Sequence, residues 1–197
     1  NVSGSLKQNR INVEPFFIHL DKDVIIIPEI NALIGGGLIS LSGKYLNKTN
    51  YDFDVAIEDI ALKDIYSIIG NTFQINGKIL KSQFRIENKN KSPLLFSHIS
   101  ILDGHWDEIV FDSLLLSFTY HDRRLVVSKC DLQTQLGSMR TNGWFNFDLF
   151  AETFTFKPKD EFNIFMNFDR FEIEKFNRYL PWEYESSGLL TGTGEIV

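Results

Sequence analysis

The stretch Tyr51-Asp52-Phe53-Asp54-Val55-Ala56-Ile57-Glu58 sets a bulky apolar side chain at every second position, with acidic or small residues between. Successive side chains of a β-strand point to opposite faces, so this run reads as a strand with one apolar and one polar face. The same spacing recurs along the chain. It holds for Ile109 and Phe111, for Leu114-Leu115-Leu116-Ser117-Phe118-Thr119-Tyr120, and for Phe145 and Phe147, which alternate with Asn146 and Asp148. It holds again for Phe154 and Phe156 around Thr155, and for Phe162, Ile164, Met166 and Phe168. Phe, Ile, Val, Thr and Tyr suit a pleated surface. About ten to twelve such segments predict a mainly β chain.

The breaks between them carry turn chemistry. Asp21-Lys22-Asp23, Gly35-Gly36-Gly37, Asn47-Lys48-Thr49-Asn50, Asn88-Lys89-Asn90-Lys91, His121-Asp122-Arg123-Arg124 and Lys157-Pro158-Lys159-Asp160 are polar or rich in Gly and Pro. Hairpins joined in a meander are the simplest consequence. Two stretches depart from period two. In Asp59–Gly70, residues Leu62, Ile65, Tyr66 and Ile69 share one helical face, and Gly70 suits the position past a helix end. In Phe171–Leu180, Ile173, Phe176 and Leu180 give a second, weaker face before Pro181. Two short helices are expected.

The two helical stretches correspond. A shift of about 111 residues lays Ile57 on Phe168, Leu62 on Ile173, Ile65 on Phe176 and Gly77 on Gly188, while Gly43 matches Gly143 at an offset of about 100. A long repeat that cannot close its own core predicts stacking into an elongated array. The expected organisation is a single elongated β segment over residues 1–197, with repeat-like units at roughly 35–110 and 137–197.

Composition narrows the function classes. Of 197 residues, 18 are Phe against 3 Trp and 6 Tyr, so the bulk of the aromatic surface carries no hydrogen-bonding group. The net charge of −6 disfavours nucleic acid and polybasic attachment to anionic lipid. A single cysteine, Cys130, excludes an internal disulfide framework and a Cys-rich zinc site. No apolar run approaches the roughly 18 residues of a membrane-spanning helix. The chain opens on Asn1-Val2-Ser3-Gly4 and closes on a strand-like Thr191-Gly192-Thr193-Gly194-Glu195-Ile196-Val197, which gives the expectation of a segment of a longer protein.

No constellation selects a reaction. His19, His98, His105 and His121 do not pair at metal-ligand spacing, and no metal or cofactor is expected. Asp103, Asp107 and Glu108 include carboxylates of the kind a glycosidase uses, yet no spacing singles them out. Ser138 and Ser186-Ser187 lack a nucleophile elbow. Gly35-Gly36-Gly37 lacks the Lys of a phosphate loop and reads as a bulge or tight bend. His121-Asp122-Arg123-Arg124 reads as a solvated turn, with a phosphate contact from Arg123 or Arg124 as the minor alternative. The chain is not expected to be an enzyme.

Several degenerate motifs carry a resemblance. They are Gly37-Leu38-Ile39-Ser40-Leu41-Ser42-Gly43, Phe53 to Ile65, Ile75-Asn76-Gly77-Lys78-Ile79, and Gly104-His105-Trp106-Asp107-Glu108-Ile109. Leu114–Tyr120, Leu125–Val127, Gly137, Gly143 and Gly188-Leu189-Leu190-Thr191-Gly192-Thr193-Gly194 continue them. Across nearly its whole length the chain resembles the AsmA-like family, most closely its TamB (translocation and assembly module) branch. That resemblance implies a sheet curled into an open trough, or β-taco, with an apolar inner face. It implies a periplasmic bridge of a diderm bacterium, anchored in the inner membrane, that conducts phospholipid acyl chains between membranes and has an outer-membrane barrel partner.

The residues expected to line the groove are one parity of each strand: Phe53, Val55, Ile57, Phe84, Ile86, Ile109, Phe111, Leu114, Leu116, Phe118, Phe145, Phe147, Phe154, Phe156, Phe162, Ile164, Met166 and Phe168. Alternation with Phe also describes the closed core of a β-sandwich. A closed-core structural or interaction module, of the stalk or adhesin kind or a scaffold for outer-membrane protein assembly, without lipid conduction, therefore stands as the alternative, and a polysaccharide enzyme on a β-helix scaffold as the third reading. The open edges of such an array predict self-association.

Overall fold

Turn chemistry sets the topology. Gly35 and Gly36 both take positive φ, 58° and 93°, as a tight two-residue hairpin of this hand requires. Asp122 and Arg123 do the same without glycine, at 49° and 62°. At the turn after Asn47, that residue's Oδ1 accepts from the Thr49 backbone N–H and Oγ1, both at 2.9 Å, an Asx turn that reverses the chain locally.

The computed structural model describes residues 2–6, 9–69, 75–89, 92–107, 109–146, 161–174 and 187–196. These hold β1 (Val2–Leu6), β2 (Asn9–Val13), β3 (His19–Asp21), β4 (Val24–Ile34), β5 (Gly37–Asn47) and β6 (Asn50–Ala61). After them come α1 (Leu62–Ile69), β7 (Ile75–Lys89), β8 (Ser92–Trp106), β9 (Ile109–His121), β10 (Arg124–Gln133), β11 (Ser138–Asn146), β12 (Phe162–Glu172) and β13 (Leu189–Ile196). All 13 strands belong to one antiparallel sheet; twelve follow in chain order from β1 to β13, and β3 pairs with β4 off that path. At about 4.8 Å per strand the path measures about 50 Å across. Its first and last strands do not pair with each other, so the sheet is open.

The first expected helix is present but starts at Leu62, because Ile60 and Ala61 are still paired with Ile79 and Lys78 of β7. The second is corrected at its start: Phe171 and Glu172 complete β12 by pairing with Leu190 and Leu189. Its remainder, 175–180, lies outside the described residues.

Strict alternation slips near one end of the strands. Asp59, Asp103 and Arg170 take positive φ of 61°, 48° and 50°, and the pairing skips Asp59 in β6 and Asp103 in β8. The register itself shifts between Ile79 and Lys81 of β7 against β8, and between Phe168 and Phe171 of β12 against β13; such slips re-aim side chains and sharpen the local bend. They bring Ile60, Ile79, Phe111 and Phe171 back onto the apolar side. There Leu62, Ile79, Ile101, Phe111, Leu132 and Phe171 form the core cluster, with Ile65 and Tyr66 of α1 packed against it. The rings of Phe168 and Phe171 meet at 5.5 Å although an odd spacing of three positions would set them on opposite faces of a regular strand.

Glycines admit the close approach of neighbouring backbone. A Cβ on Gly37 would meet the carbonyl oxygens of Glu58 and Asp59, and one on Gly137 those of Asp169 and Arg170. A Cβ on Gly43 would meet Asp52 O and Phe53, and one on Gly143 would meet Asn163 O and Ile164.

Candidate functional site

Antiparallel partners point to the same side, so the register assigns each expected lining residue to a face. Phe53 lies between Gly43 and Ile86, Val55 between Leu41 and Phe84, and Ile57 between Ile39 and Ser82. Phe118 lies between Ser97 and Val127, Leu116 between Ile99 and Cys130, and Leu114 between Ile101 and Leu132. Phe145 joins Leu125 to Phe162, Ile164 joins Gly143 to Ile196, Met166 joins Thr141 to Gly194, and Phe168 joins Met139 to Gly192. The register therefore brings Phe53, Val55, Ile57, Phe84, Ile86, Leu114, Leu116, Phe118, Phe145, Phe162, Ile164, Met166 and Phe168 onto one continuous face.

Ile109 and Phe111 have the opposite parity to Leu114. Phe111 nonetheless joins the same core, its ring filling the space that the absent side chain of Gly104 leaves. Both are 2% exposed, so they are packing residues at the α1 end rather than open lining. Phe147, Phe154 and Phe156 lie outside the described residues.

The face also contains residues that alternation did not single out. Leu95 and Ile99 of β8 and Leu125 and Val127 of β10 belong to it by register. In Pro93-Leu94-Leu95-Phe96 and Leu125-Val126-Val127 consecutive apolar residues hide the parity, and the partner strands alone reveal it. Most of the face is half-buried. Among the described residues α1 is the one regular helix, and it packs on β6 and β7. Three buried hydroxyls interrupt the apolar surface: those of Ser82, Ser97 and Thr141 have no hydrogen-bond partner.

The opposite face is mostly polar, with Phe96, Val126, Trp144 and Phe165 as apolar exceptions. Lys78 pairs with Asp59, and Lys81 with Glu58 at 3.8 Å. Arg85 pairs with Asp52 at 2.8 Å and Glu87 at 3.4 Å, and Lys129 with Asp131 at 3.3 Å. The hydrogen bond to Asp52, then the charges of Asp52 and Asp54, hold the Arg85 guanidinium above its ordinary pKa. Arg124 stacks over Trp144 at 4.3 Å and donates to Asn146 Oδ1 at 3.0 Å. Arg124 thus lies with Trp144 on this face, at the turn between β9 and β10. A depression of about 550 Å³ opens on this polar face, over the middle of β4 to β10.

The remaining candidates are surface features. His98 Nδ1 and Ser117 Oγ share a hydrogen bond of 2.8 Å, and Asn76 Nδ2 donates to His105 Nε2 at 3.1 Å. Among the described residues no cluster of His, Cys, Asp or Glu could hold a metal ion, and no helix is long and apolar enough to cross a membrane. Burial, then the charge of Asp131, pushes the Cys130 thiol above its ordinary pKa, which suppresses the thiolate. No family model, no curated protein and no solved structure matches this chain.

Proposed function

We propose that the apolar face shields phospholipid acyl chains, and that the chain is a periplasmic segment of an AsmA- or TamB-like bridge moving lipid between inner and outer membrane. The observation that carries this reading is the register: one parity of strand after strand forms a continuous, mainly apolar strip, broken by a few hydroxyls, while ion pairs occupy the other face. An acyl chain gains about 0.8 kcal/mol per CH2 withdrawn from water. Measured against a bilayer the net gain is near zero, which lets a conduit release its cargo.

The finer architecture belongs to the same reading. The sheet curls into a trough with the apolar face inside, helped by the pleat irregularities at Asp59, Asp103 and Arg170. The chain holds nearly two copies of a repeat of about 111 residues. Gly37 and Gly43 against β6, and Gly137 and Gly143 against β12, support that duplication. Positive φ at both Gly77 and Gly188, 139° and 104°, supports it too. The proposed role is non-enzymatic. A membrane anchor on the full-length protein and an outer-membrane barrel partner are part of the proposal, and the open edge strands would let the isolated chain self-associate.

Native mass spectrometry of detergent-free protein, with lipid analysis after denaturation, tests the reading. Phospholipid should co-purify or be taken up, and Ile164→Asp should abolish it in a variant that still folds. Protein that carries no lipid and takes none up would instead mark a structural or interaction module, and would end the conduit reading for this segment.

A further inference from the structure

The polar face holds a second arrangement, independent of the acyl groove. Pairing lays out an array two positions deep on four strands: Asp54 and Ala56 of β6, Arg85 and Gln83 of β7, Phe96 and His98 of β8, and Thr119 and Ser117 of β9. All of these residues line the depression of about 550 Å³. Phe96 lies between Arg85 and Thr119 and is 40% exposed, a bare ring amid polar neighbours. Ala56 and the serines of β5 are short, so they leave room above the sheet.

The polar groups around the ring fall into two sets. Arg85 is held by Asp52 and Glu87, and His98 by Ser117. Among the described residues the side chains of Gln83 and Thr119 have no hydrogen-bond partner. The cation is thus neutralised, and Asp54 and Glu29 add further negative charge at the rim. An anionic ligand such as a phosphate or a nucleic acid would meet net repulsion. What complements an apolar ring, a free amide, a free hydroxyl and a carboxylate is an uncharged molecule with one C–H-rich side and many hydroxyls. A pyranose ring has that form: its axial C–H groups cover an aromatic face while its hydroxyls donate to carboxylate and amide oxygens and accept from N–H and O–H.

We propose that this depression binds a neutral saccharide, with Phe96 as the stacking platform and Gln83, Asp54 and Thr119 as the hydroxyl-reading groups. The site lies across the sheet from the apolar strip, so a glycan chain could hold the outside of the segment while its other face is occupied.

Saturation-transfer NMR and calorimetry on the whole chain, with chitobiose, cellobiose and maltose as probes and spermidine as a cationic comparison, test this. Saturable binding of at least one disaccharide is expected, with the strongest saturation transfer at ring C–H protons. Phe96→Ala and Gln83→Ala should each weaken it about tenfold or more, and leave circular dichroism and lipid uptake unchanged. The proposal is overturned if no disaccharide binds saturably, if both variants bind as tightly as the parent, or if only spermidine binds.

Discussion

Gly43 and Gly194 are the same residue in opposite situations. A Cβ on Gly43 would strike Asp52 O and the Phe53 ring, whereas one on Gly194 meets nothing within 4 Å. Gly43→Ala should therefore lower stability by about 1–3 kcal/mol, while Gly194→Ala stays within about 0.5 kcal/mol of the parent. Urea midpoints read both. Cys130 gives a pH-dependent counterpart. Its thiol is raised on folding by burial and by Asp131, so the folded state favours the protonated form. That contribution is complete below the ordinary thiol range and is lost as pH rises through the raised value. Stability should fall with pH across that alkaline window, and Cys130→Ala should flatten the decline. Alkylation by iodoacetamide should stay slow at neutral pH in the folded protein and become fast in urea.

Helix α1 closes one end of the apolar face. Its Leu62 is 7% exposed and belongs to the core cluster with Ile79, Ile101, Phe111, Leu132 and Phe171. Leu62→Ala should cost about 2–5 kcal/mol, the range for truncating a buried leucine. Lys63, exposed on the same helix, should tolerate Ala with little change. Thermal melts of the two variants compare them directly. The strands themselves needed no such anchor to be legible. Spacing marked β6, β9 and β12, and the turn at Asp122 and Arg123 was readable because a polar tetrapeptide stood before Leu125 and after the alternating run of β9. The start of α1 was not readable, since Asp59–Ala61 fits a helical pattern equally well and it is pairing with β7 that claims Ile60 and Ala61.

One sheet with two unlike faces gives the whole molecule a directional test. Phe118 is on the apolar face and Asn142 on the polar one, exposed and paired with Phe165. If the apolar face carries acyl chains, Phe118→Asp should abolish phospholipid uptake, because a carboxylate there either repels the chain or must be desolvated. Asn142→Asp adds the same charge and should leave uptake intact. A fluorescent phospholipid-transfer assay checks the pair, and equal loss in both would show that net charge rather than the face matters.

Period two is a property of the backbone pleat, which every strand carries locally, so the β class, the turns at Asp21–Asp23, Gly35–Gly37, Asn47–Asn50 and His121–Arg124, and the apolar parity of Phe53 to Ile57 or Phe162 to Phe168 were legible in the amino-acid order. Which strand lies beside which, and where the pleat slips, depends on partners far away in the chain. Asp59, Asp103 and Arg170, with positive φ, mark where the pleat slips, and so Phe111 and Phe171 join a face that strict alternation denies them. The array around Phe96 was hidden for the same reason. Its members come from four strands, and hydrogen-bonded register, not spacing along the chain, brings them to one place.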